Sequence, residues 1–164
     1  MTSTTQLKLT PGEGRRADLV SLGNRYMIDS AQTDGRFALI EHTIAPRALA
    51  APMHVHERED EYSFVLSGRM GAQIGDEVVE AGPGELVFKP RGIWHAFWSA
   101  SDDETRVLEL ISPGEFAGYF EELAPVITAE NPDFAKIGEI QARYALTMDM
   151  DSIARLVQEH GLER

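Results

Sequence analysis

The sequence predicts a mainly β domain, an antiparallel sandwich or barrel, followed by a C-terminal helical segment. Three observations predict this fold class. Short apolar or alternating runs recur from about residue 17 to residue 111, turn-forming pairs such as Asp34-Gly35 and Gly75-Asp76 separate them, and apolar residues recur at helical spacing after residue 112. A chain of 164 residues is about one domain long.

Each predicted strand is an apolar or alternating run that ends at a turn signal. In chain order the runs cover residues 26–28, 37–44, 62–66, 70–74, 78–79, 86–88, 96–98 and 107–111. The segment that carries His54 and His56 is a further predicted strand, because residues two apart share one strand face.

Three amphipathic helices are predicted after the strands. The first begins at Ser112-Pro113-Gly114-Glu115, which supplies an N-cap, a proline at the first helical position and a capping-box glutamate. The second begins at Asn131-Pro132 and the third at Asp151 or Ser152. The third helix is predicted to end near Gly161, a residue type that favours the helix C-terminus. Amphipathic helices need an apolar surface to cover, and the strands supply one.

Four side chains of the β region are candidate ligands of one metal ion: His54, His56, Glu61 and His95. The chain has no cysteine, so a metal site must use nitrogen and oxygen, as sites for Fe, Mn, Ni, Co, Cu or Zn do. Three imidazoles and one carboxylate leave two positions of an octahedral divalent ion open for water, an oxyanion or a chelating substrate.

The spacing around these residues is more specific than a group of histidines. His54-x-His56 is followed by four residues and Glu61, then by six residues and Gly68. Gly84 is followed by five residues and then by Pro90-Arg91-Gly92-Ile93-Trp94-His95. These positions resemble the cupin superfamily, whose motifs are G-x5-H-x-H-x3,4-E-x6-G and G-x5-P-x-G-x2-H-x3-N. Two positions depart from the motifs without touching a ligand: Ala48 replaces the first Gly and Ser99 replaces the final Asn.

The resemblance, clear over residues 36–112, implies a double-stranded β-helix, the jelly-roll barrel of cupins. It implies a barrel over residues 1–112, with the core motifs in 36–112, and a helical extension over 113–164 that packs on the barrel or at a dimer interface. The compact motif spacing is similar to small single-domain cupins of the cupin 2 conserved barrel type, often described as quercetin dioxygenase-like. Cupins of this size commonly dimerise, so a homodimer is expected.

Side-chain alternation predicts which residues face inward. An inward Glu61 takes Ser63 and Val65 with it and sends Tyr62, Phe64 and Leu66 to the other face; an inward His95 takes Phe97 and sends Trp98 outward. We expect this aromatic outer face to be covered by the C-terminal helices, by a second subunit or by both. Phe97, Met53, Val65 and Phe88 are predicted cavity walls.

Two ligand-region residues leave alternatives open. Glu61 lies in a run of acidic residues that is typical of a solvated turn, and Asp60 is its rival as the ligand. Glu61 also has a hypothetical catalytic role, because a carboxylate that loosens from the metal can accept a proton. His42 shares a strand face with apolar residues, which favours a core or strand-end position over one in the cavity.

The charge of the chain limits its partners. With 15 basic and 27 acidic residues the formal net charge is −12, which repels phosphate backbones and anionic membranes. No stretch approaches the about 20 apolar residues that cross a bilayer. We therefore expect a cytoplasmic protein whose partner is a small-molecule substrate, with neither nucleic acid nor membrane.

Three functions are compatible with the sequence. The leading hypothesis is a metal-dependent oxidoreductase, a dioxygenase acting on a small oxygenated or aromatic molecule. The second is an isomerase or lyase that uses the cation as a Lewis acid on a sugar or keto acid. The third is a non-catalytic small-molecule-binding cupin, since a fold does not determine a function.

Overall fold

The computed structural model describes residues 6–163, which form two five-stranded antiparallel sheets and three α-helices. The strands are β1 Leu22–Ile28, β2 Ala38–Ile44, β3 Leu49–His56, β4 Asp60–Ser67, β5 Met70–Ile74, β6 Glu77–Ala81, β7 Leu86–Lys89, β8 His95–Ser99, β9 Thr105–Ser112 and β10 Leu146–Asp149. The helices are α1 Gly118–Ile127, α2 Phe134–Arg143 and α3 Ser152–His160.

The two sheets face each other as a jelly roll. One sheet has the order β1-β2-β9-β4-β7 and the other the order β10-β3-β8-β5-β6, so the chain passes repeatedly between them. The core lies between the sheets because each strand alternates: Ser63 and Val65 of β4 are buried, while Phe64 is exposed. The predicted mainly β barrel is confirmed.

The C-terminal segment differs from its prediction at the start of the first helix and in a strand that was not predicted. Ser112 is the last residue of β9 and its hydroxyl donates to the Arg36 carbonyl (2.8 Å) instead of capping a helix; a 3₁₀ turn over Gly114–Ala117 leads into α1. The segment also contains strand β10, which pairs with β3 next to His54. The third helix follows the prediction: α3 starts at Ser152, and Gly161 adopts the left-handed conformation at its end.

Asp133 provides the cap of the second helix. Its side chain accepts a hydrogen bond from the Lys136 backbone amide (3.1 Å), so α2 begins two residues after the predicted Pro132. None of the helices within residues 6–163 has the length and apolar character needed to cross a membrane.

The outer surface of the barrel is covered on one sheet only. Trp98 of β8 is buried against Leu156 and Leu162, and the His160 ring stacks on it at 4.0 Å, so helix α3 packs on this sheet. On the other sheet Phe64 is 40% exposed, and its neighbours on β7, Leu86 and Phe88, are 58% and 46% exposed. No described residue covers this second face.

Candidate metal centre

The four predicted ligands converge at one buried point inside the barrel. His54 and His56 come from β3, His95 from the adjacent strand β8, and Glu61 from β4 of the opposite sheet. Strands β3 and β8 pair with His54 opposite His95, which brings the two rings to 4.2 Å between centroids. One ligand atom from each of the four side chains lies within 4.8 Å of the others, a cluster that could hold a metal ion.

Backbone carbonyl groups orient two of the imidazoles. His54 Nδ1 lies 2.7 Å from the Pro52 carbonyl oxygen, and His95 Nδ1 lies 3.0 Å from the Ile93 carbonyl oxygen. A carbonyl only accepts, so each Nδ1 carries the proton and each Nε2 keeps its lone pair. His95 Nε2 is buried without a hydrogen-bond partner, which is the expected state of a metal-ligand atom when no metal is bound.

Glu59 lies next to the third imidazole without forming a hydrogen bond to it. Its carboxylate Oε2 lies 3.6 Å from His56 Nδ1, and both side chains are buried. The expectation that the acidic run around residues 57–60 is a solvated turn is therefore wrong at Glu59. A buried carboxylate next to a ligand histidine favours the tautomer in which Nε2 binds metal.

Asp60 takes no part in the cluster. Its carboxylate forms an ion pair with Arg91 at 2.7 Å, on the more exposed side of β4. Glu61, one residue further, is buried, with Oε1 3.4 Å from His56 Nε2 and Oε2 3.3 Å from His95 Nε2. Strand alternation thus sends the two acidic side chains to opposite sides and leaves Glu61 as the carboxylate of the cluster.

A buried lysine lies beside Glu61. Lys89 Nζ is 3.0 Å from Glu61 Oε2 and 3.0 Å from Glu109 Oε1, and the Ser63 hydroxyl donates to Glu109 Oε2 (2.6 Å). Burial alone would raise the pKa of Glu61, but the charge of Lys89, together with His56 and His95, holds that pKa well below its usual range. Glu61 is therefore ionised, which is the form that binds metal.

Burial keeps two histidines of the cluster, His54 and His95, neutral. It lowers the pKa of His54 well below its usual value, with further contributions from His95 and His56, and it lowers the pKa of His95 although Glu61 opposes the shift. A neutral imidazole is the ligand form. The protonation states, the free Nε2 atom of His95 and the donor set all fit a divalent transition metal.

His42 lies at the edge of this network. It is fully buried, its Nε2 is 4.0 Å from Glu109 Oε2, and its ring packs edge-on against Phe120 at 5.6 Å. Burial lowers its pKa to about 3. It is a core histidine, as the alternation favoured, and it also lines the cavity next to the cluster.

The cluster opens into a cavity of about 320 Å³ between the barrel and helices α1 and α2. Phe97 lines it as predicted. Met53 was predicted as a wall but is buried on the outer side of β3 with Trp98, and Phe88 lies on the exposed outer face, stacked on Tyr62. Both side chains were predicted to face the cavity, and both lie on the outer face of their strand.

Lys89, Glu109 and Glu59 were not predicted as site residues. Glu109 carries a readable signal, because it is the charged member of an inward apolar alternation with Val107 and Ile111. Lys89 lies at the end of β7, opposite Glu61, and only the pairing of β7 with β4 shows that it points inward.

The two opposed sheets form a jelly-roll barrel, and the buried group of three histidines and one carboxylate inside it is a candidate metal centre. Residues 40–111 match the model of the cupin domain family, and this chain contains a cupin domain. Over 57 residues it is 40% identical to an uncharacterized protein of Streptomyces coelicolor. The match covers 35% of this chain and 53% of that protein, so it spans about half the length of the curated relative.

Solved structures with the same fold include KdgF from Halomonas, with a TM-score of 0.60, 17% identity and coverage of 70% of this chain and 99% of that one. A predicted oxalate decarboxylase of Thermotoga maritima has a TM-score of 0.59 and 15% identity, and the match covers 65% of this chain and 98% of that one. Streptomyces Pac13, described as a nucleoside dehydratase, has a TM-score of 0.54 and 17% identity. The match covers 67% of this chain and 84% of Pac13. At these identities the likeness shows the fold alone. The likeness to quercetin dioxygenases is not supported by these matches and stays a prediction.

Proposed function

We propose that this chain binds one divalent transition metal through His54, His56, Glu61 and His95. We further propose that it acts as a metal-dependent oxidoreductase, specifically a dioxygenase, on a small oxygenated or aromatic molecule. The observation that carries the proposal is the convergence of four buried ligand atoms within 4.8 Å, next to a cavity of about 320 Å³. A redox metal bound there would supply open positions for O₂ and for a chelating oxygen of the substrate.

The protein side chains have separate parts in this proposal. The carbonyl groups of Pro52 and Ile93 orient two of the imidazoles, and the carboxylate of Glu59 lies beside the third. Lys89 holds Glu61 in its ionised form. The walls contributed by helices α1 and α2 separate the centre from bulk water, which strengthens electrostatic interactions inside.

The proposed role of Glu61 as a proton acceptor depends on Lys89. A carboxylate whose pKa lies well below its usual range is a weak base at neutral pH, so Glu61 accepts a proton only after its contact with the ammonium group is released.

A second candidate keeps the metal and omits the redox chemistry. The fold neighbours described as a nucleoside dehydratase and as a predicted oxalate decarboxylase are the reason to retain it: a lyase or isomerase in which the cation acts as a Lewis acid on a sugar or keto acid. Activity of the zinc-loaded protein would favour this candidate, because zinc has no redox chemistry.

Elemental analysis and an oxygen electrode, applied to one sample purified without chelators or affinity metal, test the proposal. We expect about one Fe, Mn, Ni, Co or Cu per chain, and O₂ consumption with a metal-chelating enol, thiol or flavonol. Zinc alone, or failure to take up any of these metals on reconstitution, would contradict the dioxygenase proposal. A ligand that binds tightly and is recovered unchanged would instead favour a binding module.

The homodimer and the cytoplasmic location expected from the sequence stay predictions. The uncovered face around Phe64 and Phe88 is the surface on which we propose that a second copy packs. This face carries aromatic and aliphatic side chains, whereas the chain as a whole has a net charge of −12, so two copies approach with least repulsion there.

A further inference from the structure

We propose that the cavity accepts an uncharged molecule with an apolar body and a single chelating end, which enters past an apolar rim formed by Val20, Phe134 and Met150. This inference deepens the proposed function, and only the chelating end rests on it. The apolar body and the entrance follow from the walls and the rim of the cavity, whether or not a metal is bound.

The rim is built from three separate parts of the chain. Val20 precedes β1, Phe134 is the first residue of α2, and Met150 follows β10. These side chains are 78%, 77% and 58% exposed, and all three line the cavity that contains His54, His56 and Glu61. Large apolar side chains rarely stand exposed together around a cavity without a ligand or partner to contact them.

The walls continue the same apolar surface inward. The 3₁₀ turn before α1 contributes Phe116, and helices α1 and α2 contribute Phe120, Leu123 and Ile137. The opposite wall contains Leu22 and Phe97. Within residues 6–163, no lysine, arginine or aspartate lines the cavity, and Glu61 is the one carboxylate there.

The polar side chains of the wall are mostly engaged by the protein. The Ser21 hydroxyl donates to the Leu49 carbonyl (2.8 Å), and the Gln141 amide contacts the sulfur of Met148 (3.3 Å). The Tyr119 hydroxyl is buried without a hydrogen-bond partner of good geometry, although Gln141 lies close to it. Outside the candidate metal centre, the wall therefore offers a ligand very few hydrogen bonds.

This composition selects against charged or highly hydroxylated ligands. Transfer of a polar group from water into such a cavity is unfavourable when the group finds no hydrogen-bond partner, and transfer of an unpaired charge is far more unfavourable. The net charge of −12 also repels anions from the entrance. Uridine and oxalate, the ligand chemistries named for two of the fold neighbours, are therefore poor matches for these walls.

The first test uses N-phenyl-1-naphthylamine, an uncharged apolar fluorophore, and the metal-free full chain. We expect saturable binding that weakens about tenfold in Val20→Asp and in Phe134→Asp, because each places a charge on the rim. Val78→Asp and Phe88→Asp are matched controls, since both residues are exposed and lie outside the cavity. Absence of binding, or equal affinity in all four variants, would overturn the inference.

The second test uses Co²⁺-loaded protein and two hydroxamic acids that share one chelating group. Octanohydroxamic acid should bind at least about 100-fold more tightly than acetohydroxamic acid, because each buried methylene strengthens binding about fourfold. Equal affinities would overturn the apolar inference while leaving the metal site intact. If the chain takes up no Co²⁺, the proposed metal site fails, and the fluorophore test on metal-free protein still decides the nature of the cavity.

Discussion

The ammonium group of Lys89 lies 3.0 Å from a carboxylate oxygen of Glu61, and both side chains are buried. The same ammonium group is 3.0 Å from Glu109, so one buried cation is shared by two buried carboxyl groups. Burial raises the pKa of Glu109 to about 7 although Lys89 opposes the shift, whereas Glu61 stays ionised. Lys89 is thus the counter-charge of the candidate metal centre before any metal is bound.

Removing this cation should therefore destabilise the metal-free protein more than the metal-loaded one. We expect Lys89→Met to lower the free energy of unfolding by about 3–5 kcal/mol without metal, because it leaves Glu61 buried without its partner. A divalent ion replaces the lost charge, so Co²⁺ should raise the melting temperature of the variant more than that of the wild type. Lys136→Met, at an exposed position of α2, is the control. An equal gain from Co²⁺ in variant and wild type would contradict this role of Lys89.

Glu59 should affect metal binding through His56, whose Nδ1 it faces at 3.6 Å. Glu59→Gln removes the negative charge beside the imidazole, and loss of a group that supports a ligand histidine typically weakens metal affinity about 10–100-fold. Competition with a chromophoric chelator measures the affinity. Glu57→Gln is a matched control, because Glu57 lies in the same turn but is exposed. If both variants bind metal equally well, Glu59 does not orient His56.

Direct removal of a ligand should have a larger effect. We expect His95→Ala to reduce the metal content from about one ion per chain to a small fraction, and the far-ultraviolet circular dichroism to keep the signature of the barrel. His160→Ala removes a histidine that stacks on Trp98 outside the cluster and should keep the metal. Full metal occupancy in His95→Ala would show that the ligand assignment is wrong.

The uncovered face of the β1-β2-β9-β4-β7 sheet predicts self-association. Phe64→Asp places a charge at the centre of this face, where Phe64 lies opposite Leu86 and Leu108 on the flanking strands. We expect light scattering after size exclusion to show a dimer for the wild type and a monomer for the variant. Val78→Asp, on β6 of the other sheet, should leave the dimer intact. A wild-type monomer at all concentrations tested would refute the predicted homodimer.

The sequence predicts the centre of this site well and its surroundings poorly. His54, His56, Glu61 and His95 could be placed together because they fall on the ligand positions of the two cupin motifs. The spacing of two residues also puts His54 and His56 on one strand face. The fold class follows from strand alternation and from the turn pairs.

The surroundings depend on contacts between distant strands. In Leu86–Lys89 the hydrophobic pattern favours Phe88 as the inward residue, yet pairing with β4 places Lys89 inward, opposite Glu61. Strand β10 has only four residues and no strong pattern of its own, and it forms because β3 offers an edge to pair with. Neither contact can be predicted from the local sequence pattern.

His42 should make the metal-free protein sensitive to acid. Its pKa is about 3 in the folded protein, because it is buried, and about 6.5 in the unfolded chain. As the pH falls below about 6.5, the unfolded chain binds a proton at this position that the folded protein does not, so acid favours unfolding. The stability from the neutral His42 is present above pH 6.5 and is lost as the pH falls towards 3.

Denaturant unfolding of metal-free wild type and His42→Gln at several pH values between 7.5 and 5 isolates this effect, because every other titrating group is common to both proteins. We expect the wild type to lose up to about 1.4 kcal/mol more stability per pH unit than the variant. Equal slopes would mean that His42 is protonated in the folded protein. Its partner would then be Glu109, 4.0 Å away and ionised, and the buried network would hold one more positive charge than the structure indicates.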